Sequence, residues 1–338
     1  MPAMSRSAPL ALGAVALLLA PAAADAATKT VYAGPPVAKA KAMPPDSTGN
    51  AFYPRSIAVK PGGKVAFKIG GLHNVIFAPK SAPLGPFHAP DPARPVAGTG
   101  RWFDGRPGWF IDPAHLIPSG DKVVDGKSLD ASGVFQGQGA PPDYVVKFPK
   151  TGTFRYLCTI HPGMKGSVKV ARKARSKPDA VAKQVAATVK AAKRLAAEVP
   201  AGNVVRAGND RKEVAFFSFF PAEKQVPVGT AVRFEMSKDS TEIHNVVFGS
   251  EAVLAETAGK FISPGAQGIA YDPVSVYASA PGALSHQGGE ELLNTGLLDA
   301  DARTSFPASA TVTFTKAGSY AYICTVHGPA MKGRIDVS

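Results

Sequence analysis

The chain has 338 residues, a net charge of +13 and 45% hydrophobic residues, enough for two or three domains that each bury a core. Gly (34) and Pro (31) are abundant while Cys occurs only twice, which favours many strands joined by turns and excludes a disulfide-rich scaffold. The basic excess is no nucleic-acid signature, because eight basic residues against two acidic ones crowd between Arg172 and Val199, a stretch without an aromatic side chain.

Residues 1–26 read as a cleavable signal peptide. Arg6 supplies the positive start, Ala8 to Ala20 is a small and apolar run, and Ala24-Asp25-Ala26 offers a small-residue cleavage site. The run is short for a membrane span, and no other stretch reads as one. Export to a periplasmic or extracellular space is therefore expected. In that oxidising setting Cys158 and Cys324 have a simple alternative fate as a disulfide.

Thr28 to Val37 opens the mature chain with an edge strand, and Ala38 to Asn50 reads as loop. A first unit (residues 28–171) then starts with Phe52-Tyr53-Pro54, a Pro61-Gly62-Gly63 turn and the alternating run Val65 to Ile69. His73 and Asn74 open the apolar run Val75-Ile76-Phe77. A long middle follows, from Ala78 to Pro142, rich in Pro, Gly and aromatics. It reads as a segment folded over one end of the unit, either as a lid or as extra core cover. The unit closes with alternating Phe154, Tyr156 and Cys158, which share one face of a strand, and then with Cys158-Thr159-Ile160-His161-Pro162-Gly163-Met164-Lys165-Gly166.

Residues 172–200 form a basic linker. Val181, Val185, Val189, Ala192, Ala196 and Val199 recur at steps of three and four, so a helix is expected from Lys177 to Val199, capped by Ser176 with Pro178 in its first turn. Its charge is read as a solvated face, with attraction to an acidic partner or anionic surface as a weaker option.

The second unit (residues 201–338) repeats the first at an offset of 167 residues, Phe219-Phe220-Pro221 matching Phe52-Tyr53-Pro54. His244 and Asn245 match His73 and Asn74, but the preceding loop is four residues longer. Cys324-Thr325-Val326-His327-Gly328-Pro329-Ala330-Met331-Lys332-Gly333 closes the chain like the first motif, with one extra residue between His327 and Met331. A thiol, two imidazoles and a thioether are a soft donor set suited to copper cycling between its two oxidation states. A disulfide would explain neither the repeated His and Met spacing nor the matching upstream His.

On these motifs the chain resembles the cupredoxins, the plastocyanin/azurin family, and its first loop is most similar to that of amicyanin. The resemblance implies an all-β protein of two tandem Greek-key cupredoxin β-sandwiches joined by the short helical linker. It implies two type 1 coppers, one bound by His73, Cys158, His161 and Met164 and one by His244, Cys324, His327 and Met331. Asn74 and Asn245 would hydrogen-bond the ligand loops. The exposed edges of His161 and His327 would be the electron exits, since Leu157 and Ile323 stand where some members carry an aromatic beside the Cys.

The expected function is one-electron transfer, without catalysis, to transient redox partner proteins. The alternatives are copper storage or delivery, and a two-domain copper oxidoreductase such as a nitrite reductase. An enzyme would want further histidines, and of the seven in the chain only His88, His115 and His286 remain, each isolated in a long middle.

Overall fold

A computed structural model describes residues 27–81, 84–135, 137, 139–177, 179–265, 268–288 and 292–338. The expected signal peptide lies outside the described residues.

Alternating burial builds the first sandwich from two sheets. One runs Tyr144–Phe148, Gly63–Ile69, Lys29–Ala33, Phe52–Tyr53; the other runs Ser56–Val59, Lys165–Val170, Gly152–Leu157, Ile76–Phe77, Asp130–Ala131. In Tyr144–Phe148 every second residue (Tyr144, Val146, Phe148) is buried, the mark of a strand with one face on a core. The same arrangement recurs further on. Val204–Ala207 pairs in parallel with Ala231–Met236, as Lys29–Ala33 does with Gly63–Ile69. Glu223–Val226 pairs in parallel with Gly328–Val337, as Ser56–Val59 does with Lys165–Val170.

The two cores repeat one aromatic cluster. Phe52 meets Tyr156 edge-on with centroids 4.7 Å apart, and Phe219 meets Tyr322 at 4.8 Å. Phe67 and Phe77 surround Tyr156 as Phe234 and Phe248 surround Tyr322. The Lys-Gly pair that follows each Met is explained here. Gly166 lies opposite Tyr156 and Gly333 opposite Tyr322 in the ladders, and a Cβ at either glycine would overlap the tyrosine ring.

Several expectations need correction. Lys29–Ala33 is no edge strand: it lies between Gly63–Ile69 and Phe52–Tyr53. The stretch expected as loop holds a short helix, Val37–Ala40, and the strand Ser47–Gly49, which pairs with Val214–Phe216 of the second half. The linker helix is Ala180–Ala196, and its cap residue is Asp179. Ser176 does not cap it; its hydroxyl instead accepts from Lys29 and from the Ala58 N–H. The expected Pro178 position lies outside the described residues. The apolar stripe of the helix bridges the halves, with Val185 against Ala51 and Tyr53, and Ala192 and Leu195 against Val214 and Phe216.

The two long middles, 78–142 and 249–310, each pack on their own sandwich, with Phe87 and Trp109 in the first core and Leu254 against Val247 and Ile323 in the second half. They pair with each other in one four-stranded sheet ordered Ile262–Gly265, Gly268–Tyr271, Pro107–Ile111, His88–Pro95. The crossing is the antiparallel register Ile269 to Ile111 and Ala270 to Phe110. Phe103 stacks on Tyr277, and Trp109 lies 4.3 Å from Phe306. The inserts also supply cover: Phe87, Trp109, Phe261 and Tyr271 share the core that holds Cys158 and Met164.

Candidate metal centres

The strand Gly152–Leu157 delivers Cys158 to the closed end of the first sandwich, and the following turn brings His161 back beside it. Cys158 Sγ lies 3.6 Å from His161 Nδ1 and 3.9 Å from His73 Nδ1, and the two Nδ1 atoms are 3.0 Å apart. The Cys158 N–H donates to the Met164 carbonyl at 2.9 Å, and the Met164 N–H to the His161 carbonyl at 3.1 Å. All four residues are buried.

The second set has nearly the same geometry. Cys324 Sγ lies 3.6 Å from both His244 Nδ1 and His327 Nδ1, and those nitrogens are 3.1 Å apart. Met331 and Cys324 share one core. The extra residue in this loop is absorbed by an irregularity after Ile323: Cys324 pairs with Gly328, so the last strand starts before Met331 rather than after it.

Two ring nitrogens and a sulfur converging in a largely buried pocket suit a metal cation better than they suit one another, and the donor set fits copper. Among the described residues, His73, Cys158 and His161, and His244, Cys324 and His327, are the two groups of three side chains able to hold a metal ion. Neither Cys forms a disulfide. Burial alone would push the Cys158 thiol up, but hydrogen bonding and charge from His161 and His73 bring it down to about 5. Cys324 is likewise held well below the usual thiol range by His244 and His327 against the opposing effect of burial. Both sulfurs are thereby poised as thiolates, the ligand form.

The asparagines hold the loops. Asn74 accepts from the Thr159 N–H and donates to the Thr159 hydroxyl and the His115 carbonyl, each at 2.9 Å. Asn245 bonds Thr325 and the Ser275 carbonyl in the same way. Those carbonyls are placed by the repeated Asp-Pro steps, where Asp112 and Asp272 cap short helical turns.

The imidazole edges depart from expectation. His161 is buried and the His327 side chain is only 17% exposed; the two lie on either side of the boundary between the halves. Glu242 lies between them, its Oε1 3.4 Å from His161 Nε2 and its Oε2 3.5 Å from His327 Nε2. Asn50 of the first half donates to Glu242 Oε1 at 2.5 Å, and the Phe217 ring lies 4.7 Å from that of His327. Burial opposes ionisation of Glu242, yet the charges of His161 and His327 hold its carboxyl down at about 2. Sequence reasoning missed Glu242 although a signal was present: it sits in the loop that is four residues longer in the second half, where Gly71 holds the matching place in the first.

Asp210 was missed too. Its Oδ2 lies 3.9 Å from His244 Nε2, and the carboxylate is pinned by the Phe216 N–H and the Ser240 hydroxyl. In the first half the backbone of Gly34 passes close to His73 Nε2 instead. The remaining histidines stay apart from both sets. His88 Nδ1 meets Tyr271 Oη at 2.5 Å, His115 is buried, and His286 packs among Phe248, Phe314 and Tyr320. A cleft of about 1620 Å³ borders the first set and extends to Glu242 and His327, lined also by Leu157, Met164, Trp109 and Tyr271.

Residues 41–171 match the family model of copper binding proteins, plastocyanin/azurin family. Similar solved structures include a Cu(I) amicyanin variant, 21% identical over 43% of this chain and 89% of that chain with a TM-score of 0.23. An oxidised plastocyanin from Dryopteris crassirhizoma is 21% identical over 40% of this chain and 99% of that one, with a TM-score of 0.22. No curated protein matches the chain. The family match and the two His/Cys/His groups support a copper-binding protein. The chain is thus a mostly β protein of cupredoxin-like fold, with residues 41–171 carrying the signature of the plastocyanin/azurin copper-binding proteins.

Proposed function

We propose that the protein is an exported type 1 copper protein that carries electrons one at a time, with one copper in each of two duplicated units. The units are residues 28–171 and 201–338, joined by the basic linker 172–200, and residues 1–26 direct export. His73, Cys158, His161 and Met164 hold one ion; His244, Cys324, His327 and Met331 hold the other. Copper bound there supplies a one-electron couple. The chain's part is to keep the donors fixed and dry: Asn74 and Asn245 lock the residue after each Cys, and the buried aromatic clusters keep the sandwiches rigid.

The single observation that carries this reading is the recurrence of one buried Cys, His, His geometry, with sulfur-to-nitrogen distances of 3.6–3.9 Å in the first set and 3.6 Å in the second. No helix among the described residues is long and apolar enough to cross a membrane. Partners are taken to be redox proteins met transiently.

The test is copper(II) loading of the mature chain, with metal counting, visible and EPR spectra for wild type, Cys158→Ser and Cys324→Ser. Two coppers with thiolate-to-copper colour, each variant losing one, is the expected result. A colourless protein would end the reading. A copper oxidoreductase has one observation in its favour, the cleft beside the first set, and copper-dependent turnover of a small molecule that enters it would select that reading.

A further inference from the structure

Both imidazole edges that would serve as exits for electrons end on one carboxylate. Glu242 reaches His161 Nε2 with one oxygen and His327 Nε2 with the other. It is a buried side chain, delivered by a loop of the second half and gripped by Asn50 of the first. Asn50 is itself anchored, its N–H donating to the Glu213 carbonyl at 2.6 Å. An ionised carboxylate taken out of water is costly and gains nothing over an apolar residue of like volume unless its partners need it. Its two ring partners are the outer edges of two separate donor sets, and both donor sets use the opposite ring nitrogen, Nδ1.

Resting on the metal centres of the proposed function, we propose that Glu242 is the bridge through which the two centres exchange electrons, along His161, Glu242 and His327. One electron leaves the reduced centre and one arrives at the oxidised centre. Both imidazoles keep their Nε2 protons and Glu242 stays a carboxylate, so no bond is made or broken. The pair then works as one reservoir for two electrons, and the two histidine edges carry the exchange between its halves. Glu242 acts as a positioning residue: it fixes both ligand rings from behind, as carboxylates do for metal-bound histidines, but one group serves two centres.

The experiment uses the full mature chain as wild type, E242Q and E242L. In the zinc-loaded protein, imidazole NMR should show two slowly exchanging Nε2–H signals from His161 and His327. E242L should speed exchange of both by at least about tenfold, a ratio that corresponds to ~1.4 kcal/mol. E242Q, with a single acceptor oxygen, should retain one signal. In the copper-loaded protein, a sub-stoichiometric reducing pulse should be followed by redistribution at a rate independent of protein concentration, slowed at least about tenfold in E242L. E242D keeps the charge but is one methylene too short to reach both rings; it carries the same expectation if E242L fails to fold. Unchanged Nε2–H exchange, or a redistribution rate equal to wild type in variants that keep both colours, overturns the bridge. A wild type that takes up no copper or shows no colour overturns the proposed function instead.

Discussion

Asp210 Oδ2 stands 3.9 Å from His244 Nε2, while the matching edge of His73 meets the backbone of Gly34. A carboxylate behind a ligand imidazole makes the ring a better donor and favours the more highly charged metal. With copper bound in both sets as proposed, the second centre should have the lower reduction potential. Asp210→Asn should raise it and leave the first centre unchanged. A tenfold change in relative affinity for the two oxidation states corresponds to about 59 mV for one electron, and a spectroelectrochemical titration reads it directly. Equal shifts in both centres would contradict the assignment.

Asn74 and Asn245 offer a matched pair of tests. Each ties the residue after a Cys to the strand that carries the upstream His. Asn74→Ala leaves the Thr159 N–H and the His115 carbonyl without this partner inside a buried loop. A loss of about 2 kcal/mol of stability is expected, with copper affinity of the first set falling about tenfold or more. Chemical denaturation of the metal-free protein separates the first effect from the second.

Gly166 and Gly333 should tolerate nothing larger. Their Cβ positions are occupied by the rings of Tyr156 and Tyr322, each at the centre of an aromatic cluster. Gly333→Ala must displace Tyr322 from a packed core, at a cost of roughly 1–3 kcal/mol. Thermal melts of the two alanine variants should show similar losses, since the clusters match. A neutral result in either would mean that the ring moves freely.

Much of this was readable from residues alone. Period-2 alternation at Phe154, Tyr156 and Cys158, and the repeated Cys-x-x-His loops, are local signals; they pointed to an all-β chain, and the structure brings the Cys and His residues of each motif together. What stayed hidden depends on how distant segments meet. Pro-rich His88–Pro95 gave no sign that it would enter a sheet, because its pairing partner at Pro107–Ile111 is itself joined to residues of the other half. Glu242 looked like one more acidic loop residue, because its meaning comes from His161, far away in sequence. The helix start was misplaced because Ser176 spends its hydroxyl on Lys29 and Ala58 instead of on a cap.

His88 makes the insert sheet sensitive to acid. Burial pushes this imidazole down from 6.5 to about 4. Because the folded value is depressed, its stabilising effect is complete above pH 6.5 and is lost as pH falls through about 4. The upper limit is roughly 3 kcal/mol, from 1.36 kcal/mol per pKa unit. Hydrogen exchange of Pro107–Ile111 and Gly268–Tyr271 should accelerate over that window. In His88→Phe the same window should be flat; an identical acid response in that variant would assign the effect elsewhere.

The pairing of Ile269 with Ile111 also governs what happens when the chain is cut. A protein severed in the linker would leave Pro107–Ile111 with a raw sheet edge and Trp109 and Tyr277 without their cover. Such edges seek another strand. Fragments made separately should recombine when mixed, or trade inserts between copies and form domain-swapped dimers. Two units that look separable in sequence are clasped by the very segments that a minimal sandwich would discard.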